Sequence, residues 1–118
     1  MNELATSIRN RRHRRIRARL HVTYRVGTEE HKDYAESISE GGLYVNTNEV
    51  LEVGTRLVVR IDFPDHAVSH LAEVVWAIRV PEHLRHQMVC GMGLSFIDPD
   101  PQWVEFFSRW ESRLVAMS

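Results

Sequence analysis

Cysteine and long apolar runs are both scarce in this sequence, and each scarcity excludes a class of protein. Cys90 is the only cysteine among 118 residues, so the chain can form no internal disulfide and offers no cysteine cluster for zinc. No apolar run approaches the roughly 20 residues of a membrane-spanning helix, and the first residues lack the apolar centre of a signal peptide. We therefore expect a cytoplasmic protein with no membrane segment.

Acidic residues are absent from the stretch between Arg9 and Arg19, which holds seven of the fourteen arginines. Residues 1–25 carry eight arginines and one glutamate, whereas residues 26–118 carry seven basic and fifteen acidic side chains. A guanidinium suits phosphate oxygens and the O6/N7 edge of guanine, and its flat face stacks on aromatic rings. Three interpretations are open: an arm that binds a nucleotide-like anion, an arm that lies against its own acidic domain, and a tail that only maintains solubility.

Apolar and polar residues alternate along most of the chain, as is typical of half-buried strands. The polar run from Gly27 to Asp33 predicts a turn, and Gly41 with Gly42 predicts a bulge or tight turn. The alternation predicts six strands, which lie near residues 18–26, 34–38, 43–45, 55–63, 70–80 and 90–96.

The apolar spacing becomes helical after Phe96, where Asp98-Pro-Asp-Pro resembles a helix start. One helix of about four turns is predicted from this spacing. The whole pattern predicts a mainly β fold, a six-stranded antiparallel barrel whose mouth or open side a C-terminal α-helix covers. This single domain would span residues 18–118, after a flexible basic arm at residues 1–17. The apolar positions of the helix are Trp103, Phe107, Trp110 and Leu114.

Four short motifs, in this order and spacing, resemble the PilZ domain family. Arg11-Arg12-His13-Arg14-Arg15 fits Arg-x-x-x-Arg, and Ser37-Ile-Ser39-Glu-Gly41-Gly42 fits Asp/Asn-x-Ser-x-x-Gly at every defined position but the first. Ala72-Glu-Val-Val-Trp76 and Gly91-Met-Gly-Leu-Ser-Phe96 also agree. The resemblance covers about Arg11 to Leu114, and it implies a six-stranded antiparallel barrel with a C-terminal helix.

The resemblance also implies a ligand, the bacterial second messenger cyclic di-GMP, and no cofactor or catalytic residue. An arm that becomes ordered around this ligand would relay its binding to an unidentified protein effector. Motility and exopolysaccharide synthesis are both processes that such a receptor could regulate. The ligand-binding residues implied by the resemblance are Arg11, Arg12, Arg14, Arg15, Ser37, Ser39, Gly41 and Gly42.

Ser37 departs from the motif, because the family has Asp or Asn at this position. A serine hydroxyl is shorter and uncharged, and the loss of one charge-assisted hydrogen bond costs about 1.5–3 kcal/mol. Glu36 is one residue away, and in a regular strand it would point to the other face unless a bulge redirects it. A PilZ-like adaptor that acts by protein contact without the nucleotide is therefore the alternative function.

Histidine and cysteine do not indicate a metal or an enzyme. His66 and His70 are four residues apart and His83 and His86 three apart, but both pairs are predicted in or beside loops with no cysteine partner. Cys90 is in phase with a predicted strand, which favours a core position over a nucleophile.

The tryptophans are predicted to lie in the core. Trp76 shares a strand phase with Val74 and Ile78, although the resemblance also allows it to stack on guanine. The aromatic helix face is predicted to pack on the barrel, and the alternative is that it docks a partner or a second copy in a weak homodimer. A small RNA- or DNA-binding barrel is a further alternative, but the acidic domain and the lack of a base-stacking motif argue against it.

Overall fold

The computed structural model describes residues 16–117, and it describes side chains as far as residue 114. Six strands form a closed barrel in the order β1-β2-β3-β6-β5-β4, with every neighbouring pair antiparallel. This confirms the six-stranded barrel expected from the sequence. The strands are β1 Ile16–Val26, β2 Glu29–Ser39, β3 Gly42–Asn46, β4 Arg56–Asp62, β5 Ala67–Ile78 and β6 Gly91–Phe96, and the helices are a short 3-10 turn at Glu82–Leu84 and α1 at Pro101–Met117.

The barrel interior is filled by the apolar residues of the alternating pattern. Each buried side chain of this kind stabilises the fold by about 1.5–3 kcal/mol relative to an exposed one. The largest fully buried side chains include Tyr24, Ile38, Ile61 and Met92. Cys90 is buried among them, and its sulfur accepts a hydrogen bond from the backbone N–H of Val80 at 3.3 Å, which confirms the core position expected for it.

Helix α1 covers the mouth of the barrel and was expected to do so. Asp100 caps its first turn, because the Asp100 carboxylate accepts a hydrogen bond from the Gln102 N–H at 2.6 Å. Trp103 and Trp110 are buried, and each ring lies against Phe63, at centroid distances of 5.8 and 5.1 Å. The aromatic face of the helix is thus occupied by the barrel of its own chain.

The predicted turn at Gly27 to Asp33 is wrong for most of its length. Only Gly27 and Thr28 form the turn, with Gly27 at a φ of 62°, and β2 already begins at Glu29. The inward positions of this part of β2 hold His31 and Asp33, which are partly buried and contact the core residue Tyr24. Because both side chains are polar, the apolar alternation disappears.

The predicted core position of Trp76 is also wrong. Trp76 and Ile78 are 38% and 40% exposed, whereas Val74 is fully buried. The register between β5 and β6 shifts here, since Val74 pairs with Leu94 and Trp76 pairs with the next residue, Gly93. This β-bulge inserts Val75 as an extra residue and reverses the phase of the strand after it.

Candidate functional site

The start of β1, which follows the arginine motif in sequence, lies beside the serine motif at the end of β2. Ile16, the first described residue, pairs with Ile38, and Arg17 pairs with Ser37. The pairing therefore places the start of β1 beside the end of β2, although Arg17 and Ser37 are twenty residues apart in sequence.

The motif arginines themselves lie outside the described residues. These are Arg11, Arg12, Arg14 and Arg15. Arg15 is bonded to Ile16, so the arginine run leads directly into the described pairing of β1 with β2. Their contribution to a site stays a prediction.

The turn between β2 and β3 holds the serine and the glycines of the second motif. Ser39 is buried, and its hydroxyl donates a hydrogen bond to the Gly42 carbonyl at 3.3 Å. Gly42 pairs with Ser95 of β6, and a Cβ at Gly42 would collide with the carbonyl oxygen of Leu94. The close approach of two strands therefore requires glycine at this position.

Two further hydrogen bonds join the same turn to the rest of the fold. The Gly41 carbonyl accepts the Phe96 N–H at 2.9 Å. The Glu40 carbonyl accepts the indole N–H of Trp103, on helix α1, at 2.8 Å. The turn is thus held by β6 and by the helix. A displacement of the turn backbone would directly change the hydrogen bond to α1.

A second β-bulge lies in β2, at the first position of the motif. Ala35 pairs with Val45 and Ser37 pairs with Tyr44, so Glu36 is the extra residue on β2. In a bulge of this kind two residues oppose one on the partner strand. Ala35 and Ile38 are fully buried, whereas Glu36 is exposed. The bulge that the sequence interpretation required for Glu36 is present, and Glu36 lies on the outer face together with Ser37.

Two aromatic rings form a plate on the same outer face. Tyr44 of β3 and Trp76 of β5 stack with their centroids 4.9 Å apart and their planes within 15°. Between their strands, Gly91 and Gly93 of β6 have no side chain, and a Cβ at either would collide with one of the two rings. The Gly-x-Gly pattern thus makes room for the plate, a role that sequence reasoning missed because the rings come from two distant strands.

Charged side chains border this plate. The Arg17 guanidinium lies 3.7 Å from the Glu36 carboxylate. Burial raises the pKa of Tyr44, and the nearby Glu36 carboxylate raises it further. On the adjacent part of β1, the Arg19 guanidinium lies over the Tyr34 ring at 4.3 Å. The outer face thus offers guanidinium groups, a carboxylate and flat apolar rings, which are the groups that bind phosphates, base edges and base faces.

The histidines are spread over separate environments. His66 lies beside the Asp65 carboxylate at 2.8 Å, whereas His70 belongs to β5, in the strand predicted for residues 70–80. His70 is buried between Phe96 and Trp103, at ring-centroid distances of 4.3 and 4.5 Å. The strand predicted to start at His70 is present, but β5 begins three residues earlier, at Ala67.

Among the described residues, one group of possible metal ligands was not predicted from the sequence, because its members come from different parts of the chain. One possible ligand atom each from Glu29, His31 and Glu49 lies within 4.8 Å of the other two. Glu29 faces Nε2 of the imidazole at 3.7 Å and Glu49 faces Nδ1 at 3.2 Å. Since the two carboxylates contact different ring nitrogens and are exposed, the arrangement fits two separate carboxylate–imidazole contacts better than a shared ion.

A membrane-spanning helix was not expected. Between residues 16 and 117, the structure contains no helix that is long and apolar enough to cross a bilayer.

Solved structures with the same fold include two proteins from different bacteria. The Bacillus subtilis inhibitor of motility, MotI or DgrA, superposes with a TM-score of 0.70 at 20% identity, over 88% of this chain and 50% of that one. YcgR from Escherichia coli, in complex with cyclic di-GMP, superposes with a TM-score of 0.76 at 14% identity, over 91% of this chain and 46% of that one. The PilZ domain of YcgR with cyclic di-GMP superposes with a TM-score of 0.69 at 16% identity, over 92% of this chain and 98% of that one.

These likenesses establish the fold. This chain spans about half the length of MotI and of YcgR in its complex, and nearly the whole of the isolated YcgR domain. No curated protein matches the sequence. The family model of the PilZ domain, in contrast, matches residues 9–107. Since this match includes both the arginine motif and the barrel, the chain belongs to the PilZ domain family.

Proposed function

We propose that this protein is a receptor for cyclic di-GMP that has no catalytic activity. The observation that carries the proposal is the pairing of Arg17 with Ser37, which brings the end of the arginine arm to the serine-glycine turn. Family membership and the cyclic di-GMP in two structures of YcgR support it.

The ligand has two phosphates and two guanines, and the groups around the turn match them. Arg11 and Arg15 would donate charge-assisted hydrogen bonds to phosphate oxygens or to guanine O6 and N7, and Arg12 and Arg14 would add to the positive charge. On the barrel, the half-exposed Trp76 ring offers a flat surface on which a base can stack. Ser39, Gly41 and Gly42 would provide backbone and hydroxyl groups at the turn.

The signal would pass to a protein effector through ordering of the N-terminal arm. Binding would fix the arm against the outer face of β2 and β3 and create a new surface there. The hydrogen bond between the Glu40 carbonyl and Trp103 offers a second path, since it joins the turn to helix α1. The likeness to an inhibitor of motility suggests motility as one regulated process, and exopolysaccharide synthesis is the other that we propose.

The test is isothermal titration of the protein with cyclic di-GMP at two salt concentrations, with GTP as the control nucleotide. We expect selective binding at micromolar or lower dissociation constants, with a shallow dependence on salt. Binding of RNA or DNA through the arm would instead weaken steeply with salt, because several counterions are released. No heat with cyclic di-GMP at either salt concentration would contradict the proposal.

Arginine variants test the arm. Arg11→Ala and Arg15→Ala should each abolish or strongly weaken binding, with an unchanged circular dichroism spectrum. Arg79→Ala is the matched control, because the Arg79 guanidinium is exposed and contacts only the Glu52 carboxylate, at 3.4 Å, among its described contacts. Wild-type affinity in both arm variants would exclude these residues from the site.

The alternative function is that of an adaptor that binds protein without the nucleotide. Ser37 is the observation that favours it, since the motif there has Asp or Asn. An adaptor would give no heat with cyclic di-GMP, so the titration above distinguishes the two functions.

A further inference from the structure

Glu36 immediately precedes the serine motif and lies at the bulge in β2. Because of the bulge in β2, Glu36 and Ser37 both oppose Tyr44, and Glu36 is the more exposed of the two. We infer that Glu36, rather than Ser37, is the residue of this strand that recognises guanine, through hydrogen bonds from the guanine N1–H and exocyclic amine to its carboxylate. The inference rests on the proposed function.

The chemistry of the two side chains distinguishes them. Guanine presents two adjacent donors, N1–H and the exocyclic amine, on one edge, and a carboxylate accepts both with its two oxygens. Adenine has an acceptor at N1, which a carboxylate repels. A hydroxyl such as that of Ser37 can donate or accept, so it contributes little to the choice of base. A carboxylate on the outer face therefore selects guanine, and a serine does not.

The contact that Glu36 makes in this structure can give way to a ligand. Its carboxylate is 3.7 Å from the Arg17 guanidinium, and the two side chains are 46% and 87% exposed. Exposed ion pairs of this kind contribute little to stability. Glu36 can therefore turn to a base while Arg17 stays nearby for a phosphate, without loss of the fold.

The same strand provides a matched control. Glu30 also lies in β2, and its carboxylate is 3.7 Å from the Arg25 guanidinium, with exposures of 44% and 67%. Glu30 pairs with Arg25 near the turn at Gly27, at the end of the hairpin away from Ser37. Glu30→Gln changes the net charge of the protein by the same amount as Glu36→Gln, but at a distance from the proposed site.

The experiment is titration of the wild type, Glu36→Gln, Glu30→Gln and Ser37→Ala with three ligands. They are cyclic di-GMP, its hypoxanthine analogue, which lacks the exocyclic amine, and cyclic di-AMP. We expect Glu36→Gln to weaken cyclic di-GMP binding by about tenfold or more. We also expect it to reduce the wild-type preference for cyclic di-GMP over the hypoxanthine analogue, whereas Glu30→Gln keeps both affinity and preference. A merely structural role would weaken all three ligands alike.

The possible failures are distinguishable. If the wild type binds cyclic di-GMP and Glu36→Gln keeps both its affinity and its preference, this inference is wrong and the receptor function stands. If Ser37→Ala removes the preference and Glu36→Gln does not, recognition belongs to Ser37. If the wild type does not bind cyclic di-GMP, the proposed function fails and the inference fails with it.

Discussion

Replacement of Gly42 by alanine tests whether this motif glycine serves the fold or only a ligand. A Cβ at Gly42 would collide with the Leu94 carbonyl oxygen, and it would lie 3.2 Å from the Leu94 carbonyl carbon and 3.3 Å from the Ser95 Cα. All of these are backbone atoms. Relief therefore requires β3 and β6 to move apart, since no side chain can rotate away.

The expected cost follows from this geometry. Extra volume in a well-packed region typically costs about 1–3 kcal/mol, and each kcal/mol lowers the Tm of a domain of about 100 residues by about 4–8 °C. We expect Gly42→Ala to lower the Tm and the urea midpoint by a corresponding amount, with no ligand present. Thermal and urea unfolding, followed by far-ultraviolet circular dichroism and tryptophan fluorescence, measure both.

Gly93→Ala is the matched control from the neighbouring strand. A Cβ at Gly93 would collide with the Trp76 ring, which is half-exposed and can turn outward. We expect a smaller loss of stability and a change in the Trp76 environment. Wild-type stability for Gly42→Ala, together with a loss of ligand binding, would refute the argument, because the glycine would then serve the ligand alone.

Two further predictions concern helix α1 and the barrel mouth. Burial lowers the pKa of His70 in the folded protein below its usual value of 6.5, and the Asp100 carboxylate opposes this shift. Between the folded-state pKa and the higher pKa of the unfolded chain, the unfolded chain therefore binds more protons than the folded protein. Stability should fall as the pH drops below 6.5 and level off below the folded-state pKa. His70→Phe should reduce this pH dependence in urea unfolding. Trp103→Phe removes the indole N–H that binds the Glu40 carbonyl, so we expect a loss of about 1–3 kcal/mol in urea unfolding and faster hydrogen exchange of the Gly41 and Gly42 amides. Unchanged exchange in this variant would show that the helix does not hold the turn.

Local patterns predicted most of the fold. Alternation with a period of two residues indicates a half-buried strand wherever one face meets a core, and this was sufficient for all six strands. The helix followed from Trp103, Phe107 and Trp110, whose spacing is typical of one buried face. The pattern failed at Glu29 to Asp33, because the inward, partly buried side chains there are His31 and Asp33, which are polar.

The candidate site was predictable only in part. Ser39, Gly41 and Gly42 form one local turn, so their motif indicated a real structural unit. The positions of Glu36 and Trp76 were not predictable, because each depends on a bulge. A bulge is defined by the register between two strands, and that register depends on partners distant in sequence.

The sequence by itself therefore indicated the family through its motifs, and it determined the number of strands, their places along the chain and the helix on the barrel, since each follows from the local order of side chains. Only the tertiary structure decided what the outer face presents. Strand pairing placed Arg17 beside Ser37 and put Tyr44 and Trp76 together over two glycines, and the bulge in β2 turned Glu36 outward. These contacts join residues on different strands, so they exist only once strand pairing has set the register.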